Sequence, residues 1–532
     1  MCQISRLKCA EAPPHREAFL FPAGCAFIEH DMSTQNPSAI PSHIPDALDL
    51  AERIRRGECD AAEVLQSAIA RCDAINPRIN AVIADLREHA KAGLKHARTG
   101  DAPFAGVPFL LKDLSMDLAG YGTSQGNAAL ARRPVAQTDA VVRRWEQAGL
   151  LIFGKTNTPE LGLKAITEPV AFGPTRNPWN LDHTPGGSSG GAAAAVAAGI
   201  VPAAAAGDGG GSIRIPAAYC GLFGLKPSRG RVSCAPQFDE QWEGAVSTHA
   251  ISRTVRDSAA LLDVIAGPEP GDPFIVQPPA RPFSQELQAP TQRLRIALST
   301  ASPIGGAVDA VWSRAASDCG QLLQSLGHHV EWIDPVGDGM QLARDYLTMY
   351  FGQVAAQLTW WQQQGVPASA FETDTQALGL IGRGLAAGDY ALARARWNSP
   401  MRALGQLFTR FDLYLTPTCA QPPARIGELA APRWQRTALQ LILRFGLDGV
   451  LRRSGLVEQL AFDNLHRTPF TQLANLTGTP AMSVPWALDD NGLPVGVQFG
   501  AAWGREDLLF QLATQLELER PWGHWRPPVF AA

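Results

Sequence analysis

Hydrophobic positions first repeat with a helical period near residue 46. Residues 46–57 (DALDLAERIRRG) place apolar side chains on one helical face, and Gly57 is suited to end that helix. A second helix is predicted over 60–75. Because no sustained period precedes this region, residues 1–44 are predicted to be a disordered N-terminal tail.

Short apolar runs then alternate with helical patterns along the chain. One strand-like run is 108–114 (PFLLKDL), and residues 338–470 are mostly helical and rich in large side chains. Further on, 481–487 and 493–501 are predicted to pair as a hairpin, because the Asn-Gly pair at 491–492 favours a tight turn. This alternation favours an α/β layered fold.

Composition and charge narrow the classes of function. The 46 Lys and Arg against 50 Asp and Glu give a net charge of −4, without the basic stripe that binds nucleic acid. The longest apolar stretch, 192–206, is too short to span a bilayer. The nine cysteines lack zinc-ligand spacing, and no signal-peptide pattern is visible. The protein is therefore predicted to be cytoplasmic, with free thiols and no metal, nucleic-acid or membrane partner.

Two loops rich in Gly and Ser, 184–195 (TPGGSSGGAAAA) and 207–221 (GDGGGSIRIPAAYCG), are the main candidates for chemistry. Successive glycines let the backbone approach a ligand closely, and a run of N–H groups can stabilise an anion. A serine that ends such a run combines a hydroxyl with donors placed for an oxyanion, as acyl transfer requires. The simpler interpretation is that both loops are tight turns that only permit close packing.

Phosphate binding is not favoured by either loop. A Walker A loop requires Lys after its last glycine, but Ala192 follows Gly191. The G-x-G-x-x-G spacing also fails, because residues 207–209 are followed two residues later by Gly211 and then by Ser212. Nucleotide binding is therefore not predicted.

Residues 186–190 (GGSSG) match the G-x-S-x-G nucleophile elbow of α/β-hydrolases, which would make Ser188 the nucleophile. That elbow requires a buried strand immediately before it, whereas two prolines and polar turn residues precede it here. None of the eleven histidines stands in a context typical of a catalytic base. An esterase of this type is kept as an alternative.

A desolvated lysine can activate a serine without histidine, because burial lowers the pKa of the amine. Lys112 ends the apolar run 107–111, which is predicted to be a buried strand. A lysine at the end of a strand more often extends its amine to water. Position alone therefore leaves both roles for Lys112 open.

Taken together, these segments resemble the amidase signature family from about residue 46 to 520. The matching motifs are GVPFLLKD (106–113), GKTN (154–157), PGGSSGG (185–191), DGGGSIRIP (208–216), GLFGLKP (221–227), ISRTVRDSAALLDVIAG (251–267), DLYLTPT (412–418) and the GLPVGVQ…EDLL ending. The separations of 24 residues between Ser188 and Ser212 and of 76 between Lys112 and Ser188 also suit the family.

The resemblance implies a Ser–cisSer–Lys triad. Ser212 would attack the substrate carbonyl and form an acyl-enzyme. Ser188, joined to Gly187 by a cis peptide, would relay a proton between Ser212 and Lys112. Lys112, neutral in the resting enzyme, would be the base. The family chemistry implies no cofactor and no metal.

The residues around the triad follow from the same resemblance. The oxyanion hole would be formed by the backbone N–H groups of Gly209, Gly210, Gly211 and Ser212. Ser189 would bond Lys112. Asp208 and Arg214 would brace the loop that carries the nucleophile.

The implied fold is a single large α/β/α sandwich with a mixed central β-sheet flanked by helices. This amidase domain would occupy 45–525, with 338–470 as a helical lobe that shapes the substrate site. The run 207–212 is most similar to that of bacterial amidases of the 6-aminohexanoate-cyclic-dimer hydrolase type. Other members of the family cleave anilides, esters and carbamates.

A second alternative is the glutamine-hydrolysing subunit of a tRNA-dependent amidotransferase, which shares both serine loops. That subunit usually carries Gln where this chain has Ile215. An inactive relative is disfavoured, because Lys112, Ser188 and Ser212 are all present.

The substrate is the least specified part of the prediction. Residues 341–365 carry few charges and five large aromatic side chains, Tyr346, Tyr350, Phe351, Trp360 and Trp361. Each alone is typical of helix core, but the group predicts a mainly apolar pocket wall without an Arg or Lys clamp for a carboxylate. We therefore expect the partner to be a small-molecule substrate, an uncharged amide such as an anilide, a linear or cyclic aliphatic amide, or an aryl carbamate. Assembly as a homodimer is left open.

Overall fold

Strands and helices alternate through most of the chain. The computed structural model describes residues 45–97, 102–444, 459, 462–463 and 465–531. The strands are β1 (Val82–Asp85), β2 (Pro108–Lys112), β3 (Leu151–Thr156), β4 (Ala203–Asp208), β5 (Phe223–Lys226), β6 (Ser247–Ser252), β7 (Arg295–Leu298), β8 (His329–Trp332), β9 (Leu413–Pro417), β10 (Ala481–Leu488) and β11 (Pro494–Ala501).

The helices surround these strands. They are α1 (Ala47–Arg55), α2 (Ala61–Ile79), α3 (Arg87–Ala97), α4 (Ala128–Ala131), α5 (Ala140–Gln147), α6 (Gly190–Ala197), α7 (Arg214–Cys220), α8 (Val255–Ile265), α9 (Phe283–Glu286), α10 (Ala310–Ser325), α11 (Gly339–Gln363), α12 (Thr373–Arg383), α13 (Ala387–Arg396), α14 (Asn398–Leu407), α15 (Arg433–Arg444), α16 (Gln472–Thr477) and α17 (Glu506–Glu519). Short 3₁₀ turns cover Glu160–Gly162 and Ala368–Ala370.

The strands form a mixed sheet. Eight of them hydrogen-bond in the order β4-β6-β5-β10-β11-β9-β7-β8, with antiparallel pairs as far as β9 and parallel pairs from β9 to β8. A smaller sheet has the order β1-β3-β2. Its strand β2 lies beside β4, the edge strand of the larger sheet. The predicted hairpin of β10 and β11 is confirmed.

Alternate residues of each strand face different helical layers. In β4, Ala203 and Ala205 pack into one apolar core, while Ala204 and Ala206 pack into another. This is the period of two expected of a strand buried on both faces. The first core includes residues of α5, α8, α10 and α17, and the second includes residues of α2 and α6. The predicted α/β/α sandwich is therefore confirmed.

A third apolar cluster lies among the helices α11, α12 and the segment before α14. It includes Tyr350, Val354, Phe371 and Trp397. The predicted helical stretch 338–470 is not continuous, because β9 interrupts it and belongs to the main sheet. The apolar run of β9 (LYLTP) suits a buried strand, and a search for helical periodicity passes over so short a run.

Several predicted boundaries shift by a few residues. The first helix ends at Arg55, with Arg56 as its C-cap, and Gly57 follows with φ +72°. The second helix runs from Ala61 to Ile79, beyond the predicted end at residue 75, with Asp60 as its N-cap. The predicted tail, residues 1–44, lies outside the described part of the chain.

Candidate active site

The first Gly/Ser loop ends at the N-terminus of α6. The peptide between Gly187 and Ser188 is cis, as the resemblance to the amidase signature family implies. Gly186 has φ +87°, a conformation that favours glycine. Its carbonyl accepts a hydrogen bond from Oγ1 of Thr167 at 2.9 Å, which holds the loop against the segment before it.

The structure contradicts the nucleophile-elbow interpretation of this loop. Residues 174–189 contain turns and residues of two isolated bridges, not the buried strand that an elbow requires. The described lining of the adjacent cavity contains no histidine. His249, a buried histidine, is instead hydrogen-bonded to Ser258 at 2.9 Å, and burial lowers its pKa to about 3. A Ser–His arrangement around Ser188 is therefore absent from the described residues.

Strand β2 brings Lys112 to the same loop. All five residues of the strand are buried, and Lys112 is 1 % exposed. Its Nζ donates to Oγ of Ser188 at 2.7 Å and to the carbonyl oxygen of Gly207 at 3.2 Å. The alternative in which Lys112 extends its amine to water is therefore wrong.

Burial controls the charge of Lys112. Loss of water around the amine lowers its pKa from 10.5 to about 7, although the nearby carboxylate of Asp208 acts in the opposite direction. A large fraction of the amine is therefore neutral at neutral pH. A neutral amine has a lone pair that can accept a proton from the Ser188 hydroxyl.

This pKa predicts the acid limb of the pH profile. Lys112 is neutral above its pKa, so kcat/KM should fall about tenfold per pH unit below pH ~7 and level off above it. Measurements of kcat/KM from pH 5 to 9 would test this, with unfolding monitored at each pH as the control. A limb centred near pH 10 would show that the amine stays charged at neutral pH and would contradict the expectation.

The second Gly/Ser loop connects β4 to α7. It is tied to the first loop, because the N–H of Ser189 donates to the carbonyl of Ser212 at 3.3 Å. Ser212, Ser188 and Lys112 all line the same cavity. The three residues that the sequence predicts for the triad therefore lie together at one site.

Asp208 and Arg214 form a buried ion pair at the base of the second loop. Both side chains are fully buried, and Oδ1 of Asp208 lies 2.9 Å from Nη2 of Arg214. The same carboxylate accepts the N–H of Gly211 at 2.7 Å and that of Ile213 at 3.1 Å. Burial alone would raise the pKa of Asp208, but the charge and hydrogen bonds of Arg214, the hydrogen bond from Asn475 and the charge of Lys226 together lower it below its usual value. The predicted bracing contacts are present.

The oxyanion-hole prediction needs a correction at Gly211. Gly209, Gly210 and Ser212 line the cavity, but Gly211 does not. Its N–H is already used by the Asp208 carboxylate. A donor held by an anion cannot also serve a substrate oxygen, so at most three of the four predicted N–H groups remain available for that role.

The contact predicted for Ser189 is also wrong. Its Oγ donates to the carbonyl of Gly207 at 3.2 Å and accepts the N–H of Gly207 at 3.3 Å, and it does not bond Lys112. Lys112 donates to the same carbonyl. Ser189 and Lys112 thus share Gly207, and the serine acts on the lysine only through that residue.

Sequence reasoning missed the side chains that hold the second loop by hydrogen bonds to its carbonyl oxygens. Thr471 Oγ1 and Gln472 Nε2 donate to the carbonyl of Gly210 at 2.6 and 3.2 Å. Asn475 Nδ2 donates to the backbone oxygen of Asp208 at 2.9 Å. These residues lie in and just before α16, far along the chain from the loop that they hold. Three polar residues within TQLAN at 471–475 are the sequence signal that could have indicated them.

The cavity has a volume of about 330 Å³, within the range of small-molecule sites. Its walls are mainly apolar and include Leu114, Met116, Ile166, Trp242, Tyr350 and Leu378. Of the five aromatic residues predicted for the wall, Tyr346 and Tyr350 line the cavity. Phe351 is buried in the third apolar cluster, and Trp360 is 52 % exposed.

Charged residues also reach the cavity, from segments outside 341–365. Nζ of Lys164 lies 2.7 Å from Oδ2 of Asp374, and both residues line the cavity. Arg467 also lines it, and its guanidinium contacts Glu428 at 3.3 Å. Each cation is therefore already paired with a carboxylate of the protein, so neither is left unpaired to clamp a substrate carboxylate.

Other features of the described residues bear on ligands and membranes. Among them, no group of His, Cys, Asp and Glu has an arrangement that could hold a metal ion. No helix in the described ranges combines the length and apolarity that a bilayer crossing requires. The cysteines within those ranges are free. A cytoplasmic location and a homodimer stay predictions.

Comparison with known proteins decides the family. The amidase family model matches residues 63–510. The chain belongs to the amidase family. The predicted family is thereby confirmed. The predicted class of enzyme, a hydrolase of carbon–nitrogen amide bonds, is confirmed at the level of that family.

Individual amidase-family relatives agree with this assignment. The 6-aminohexanoate-cyclic-dimer hydrolase of Pseudomonas sp. (strain NK87) is 38 % identical over 504 residues, which cover 91 % of this chain and 96 % of that protein. The structure of a 6-aminohexanoate cyclic dimer hydrolase complexed with substrate has a TM-score of 0.82 at 34 % identity and covers 91 % of this chain and 99 % of that one.

More distant amidase structures share the fold. A bacterial aryl acylamidase has a TM-score of 0.79 at 26 % identity and covers 92 % of this chain and 100 % of that one. A glutamyl-tRNA(Gln) amidotransferase subunit from Thermotoga maritima has a TM-score of 0.69 at 26 % identity, with 89 % of this chain and 95 % of that one covered. The amidotransferase alternative is thus a more distant likeness than the cyclic-dimer hydrolase.

Proposed function

We propose that this chain hydrolyses uncharged, largely apolar amides through an acyl-enzyme formed on Ser212. The observation that carries the proposal is the contact of 2.7 Å between a buried Lys112 amine and the hydroxyl of Ser188. An amine with a pKa of about 7 is a base suited to neutral pH. Lys112 lines the same cavity as Ser212.

The proposed reaction begins with proton transfer away from Ser212. Ser212 gives its proton to Ser188, which gives its own proton to neutral Lys112. The Ser212 oxygen then bonds to the substrate carbonyl carbon, and the carbonyl oxygen becomes an oxyanion. Backbone N–H groups of Gly209, Gly210 and Ser212 stabilise that charge in this proposal.

Collapse of the tetrahedral intermediate breaks the carbon–nitrogen bond. The proton held by Lys112 returns through Ser188 to the leaving nitrogen, so the amine departs neutral. Water then attacks the ester on Ser212 and gives a proton through Ser188 to Lys112. That proton returns through Ser188 to the Ser212 oxygen as the carboxylic acid product leaves. The proton and bond balance of this reaction requires only substrate and water.

The cavity supports an apolar substrate. Its walls are mainly hydrophobic, and the basic residues that line it besides Lys112, namely Lys164 and Arg467, are paired with Asp374 and Glu428. The similarity to a cyclic-dimer hydrolase and to an aryl acylamidase favours cyclic or linear aliphatic amides and anilides. Aryl carbamates and esters are further candidates, because the same attack on a carbonyl would cleave them.

A panel of substrates tests this proposal. The purified chain, without any partner, should turn over at least one of 4-nitroacetanilide, the 6-aminohexanoate cyclic dimer and a phenyl carbamate. It should do so with a higher kcat/KM than for glutamine or malonamate, because those two carry charges that the apolar walls must desolvate. A preference for glutamine or malonamate over every apolar member would contradict the proposal, and a preference for glutamine would favour the amidotransferase subunit.

A further inference from the structure

The phenol of Tyr346 lies directly against the loop that carries Ser212. Tyr346 belongs to α11, and its side chain lines the cavity. A Cβ added to Gly210 would clash with Oη of Tyr346, so this hydroxyl stands beside a glycine of the proposed oxyanion hole. The ring of Tyr350 stacks on Tyr346 at 6.2 Å with an interplanar angle of 23°, which fixes its position.

The hydroxyl of Tyr346 differs from those of neighbouring tyrosines. Tyr350 donates to the carbonyl of Leu163 at 2.6 Å, and Tyr219 donates to that of Gln421 at 3.0 Å. Among the described residues, no hydrogen-bond acceptor contacts Oη of Tyr346. A buried phenol usually finds a partner, and here the space that would hold one is the cavity.

Tyr346 is a donor at neutral pH and not a base. Burial raises the pKa of its phenol, and the nearby Asp208 carboxylate raises it further. The neutral hydroxyl therefore keeps its proton throughout the pH range in which Lys112 titrates.

We propose that Tyr346 is a catalytic residue that donates a hydrogen bond to the substrate carbonyl oxygen and to the oxyanion that follows. This inference rests on the function proposed above. It also fits the correction at Gly211, whose N–H is used by Asp208. The tyrosine hydroxyl supplies a donor at the loop where the backbone has lost one. No bond to the phenol proton breaks, so the proton balance of the reaction is unchanged.

The variant Tyr346→Phe removes only the hydroxyl. Loss of one oxyanion donor should lower kcat and kcat/KM by about 100-fold, with KM nearly unchanged, because the bond strengthens as charge develops. The acid limb set by Lys112 should stay at the same pH. The matched control is Tyr390→Phe, which loses hydrogen bonds to Glu243 and Gln353 outside the cavity and should keep the wild-type kcat.

The rate of covalent labelling by a fluorophosphonate gives a second measurement that needs no known substrate. Attack of Ser212 on phosphorus places negative charge on the phosphoryl oxygen, so Tyr346→Phe should label more slowly than wild type and Tyr390→Phe should not. Equal rates for wild type and Tyr346→Phe would overturn the role of Tyr346 while the proposed function stands. A higher KM with unchanged kcat in Tyr346→Phe would show that Tyr346 only contacts the bound substrate, and would also overturn its proposed role as an oxyanion donor. Wild type that fails to label at Ser212 would refute both proposals.

Discussion

Replacement of Ser212 by alanine should remove almost all amide hydrolysis, with a loss of about 10⁶-fold in kcat. The variant keeps the second loop, because the contacts that hold it involve other side chains and not the Ser212 hydroxyl. Those side chains are Asp208, Arg214, Thr471, Gln472 and Asn475. The melting temperature should therefore stay near that of wild type. Steady-state kinetics on the best panel substrate would measure the loss, and thermal unfolding would show that the fold is intact.

Covalent labelling distinguishes this outcome from the alternatives. A fluorophosphonate should label Ser212 in the wild type, and peptide mapping should find no label in Ser212→Ala. Ser325→Ala is a matched control, because that serine is exposed and its hydroxyl contacts only the carbonyl of Leu322 in its own helix. A label on Ser188 in place of Ser212 would disprove the assigned nucleophile and revive an elbow-type serine.

The triad could be predicted because its segments resemble those of the amidase signature family, whereas the local patterns alone only mark out its members as candidates. Lys112 ends an apolar run, and the buried strand β2 follows from that run alone. Ser188 and Ser212 each follow consecutive glycines, in segments whose composition is unusual for ordinary core. What the sequence could not show is that burial brings the amine to within 2.7 Å of Ser188, because that distance depends on how β2 and the loop pack.

The direction of the backbone N–H groups could not be predicted. All four residues from Gly209 to Ser212 have equivalent donors in a sequence. In the structure the Asp208 side chain folds under the loop and takes the N–H of Gly211. Which of these N–H groups the protein itself uses depends on the rotamer of the Asp208 carboxylate. Arg214 and Asn475 both hold that rotamer, and Asn475 lies far along the chain from Asp208.

The error at Trp360 has a geometric cause. Trp360 lies 14 residues after Tyr346, which places it near the same face of α11 but about 21 Å further along the helix axis. The cavity ends before that point, and Trp360 is 52 % exposed. Helical periodicity predicts which face of the helix a residue lies on, but not how far along the helix axis the cavity extends.

Replacement of Arg214 by methionine should have the largest effect on stability among the residues of the site. Arg214 and Asp208 are both fully buried, so methionine would leave the carboxylate without its main counter-charge. Breaking a buried pair in this way costs about 3–5 kcal/mol of the free energy of unfolding. Urea denaturation of the variant and the wild type at pH 7 would measure the difference.

The same substitution should also lower kcat/KM of the folded enzyme by about 100-fold, because small displacements of reacting groups cost that much. Asp208 holds the N–H groups of Gly211 and Ile213, so a change in its position moves the loop that carries Ser212. Arg231→Met is the matched control, since Arg231 forms a buried pair with Glu506 at 3.1 Å away from the cavity. It should lose similar stability but keep the kcat/KM of its folded fraction. If folded Arg214→Met retained wild-type kcat/KM, the pair would support the fold without positioning the nucleophile.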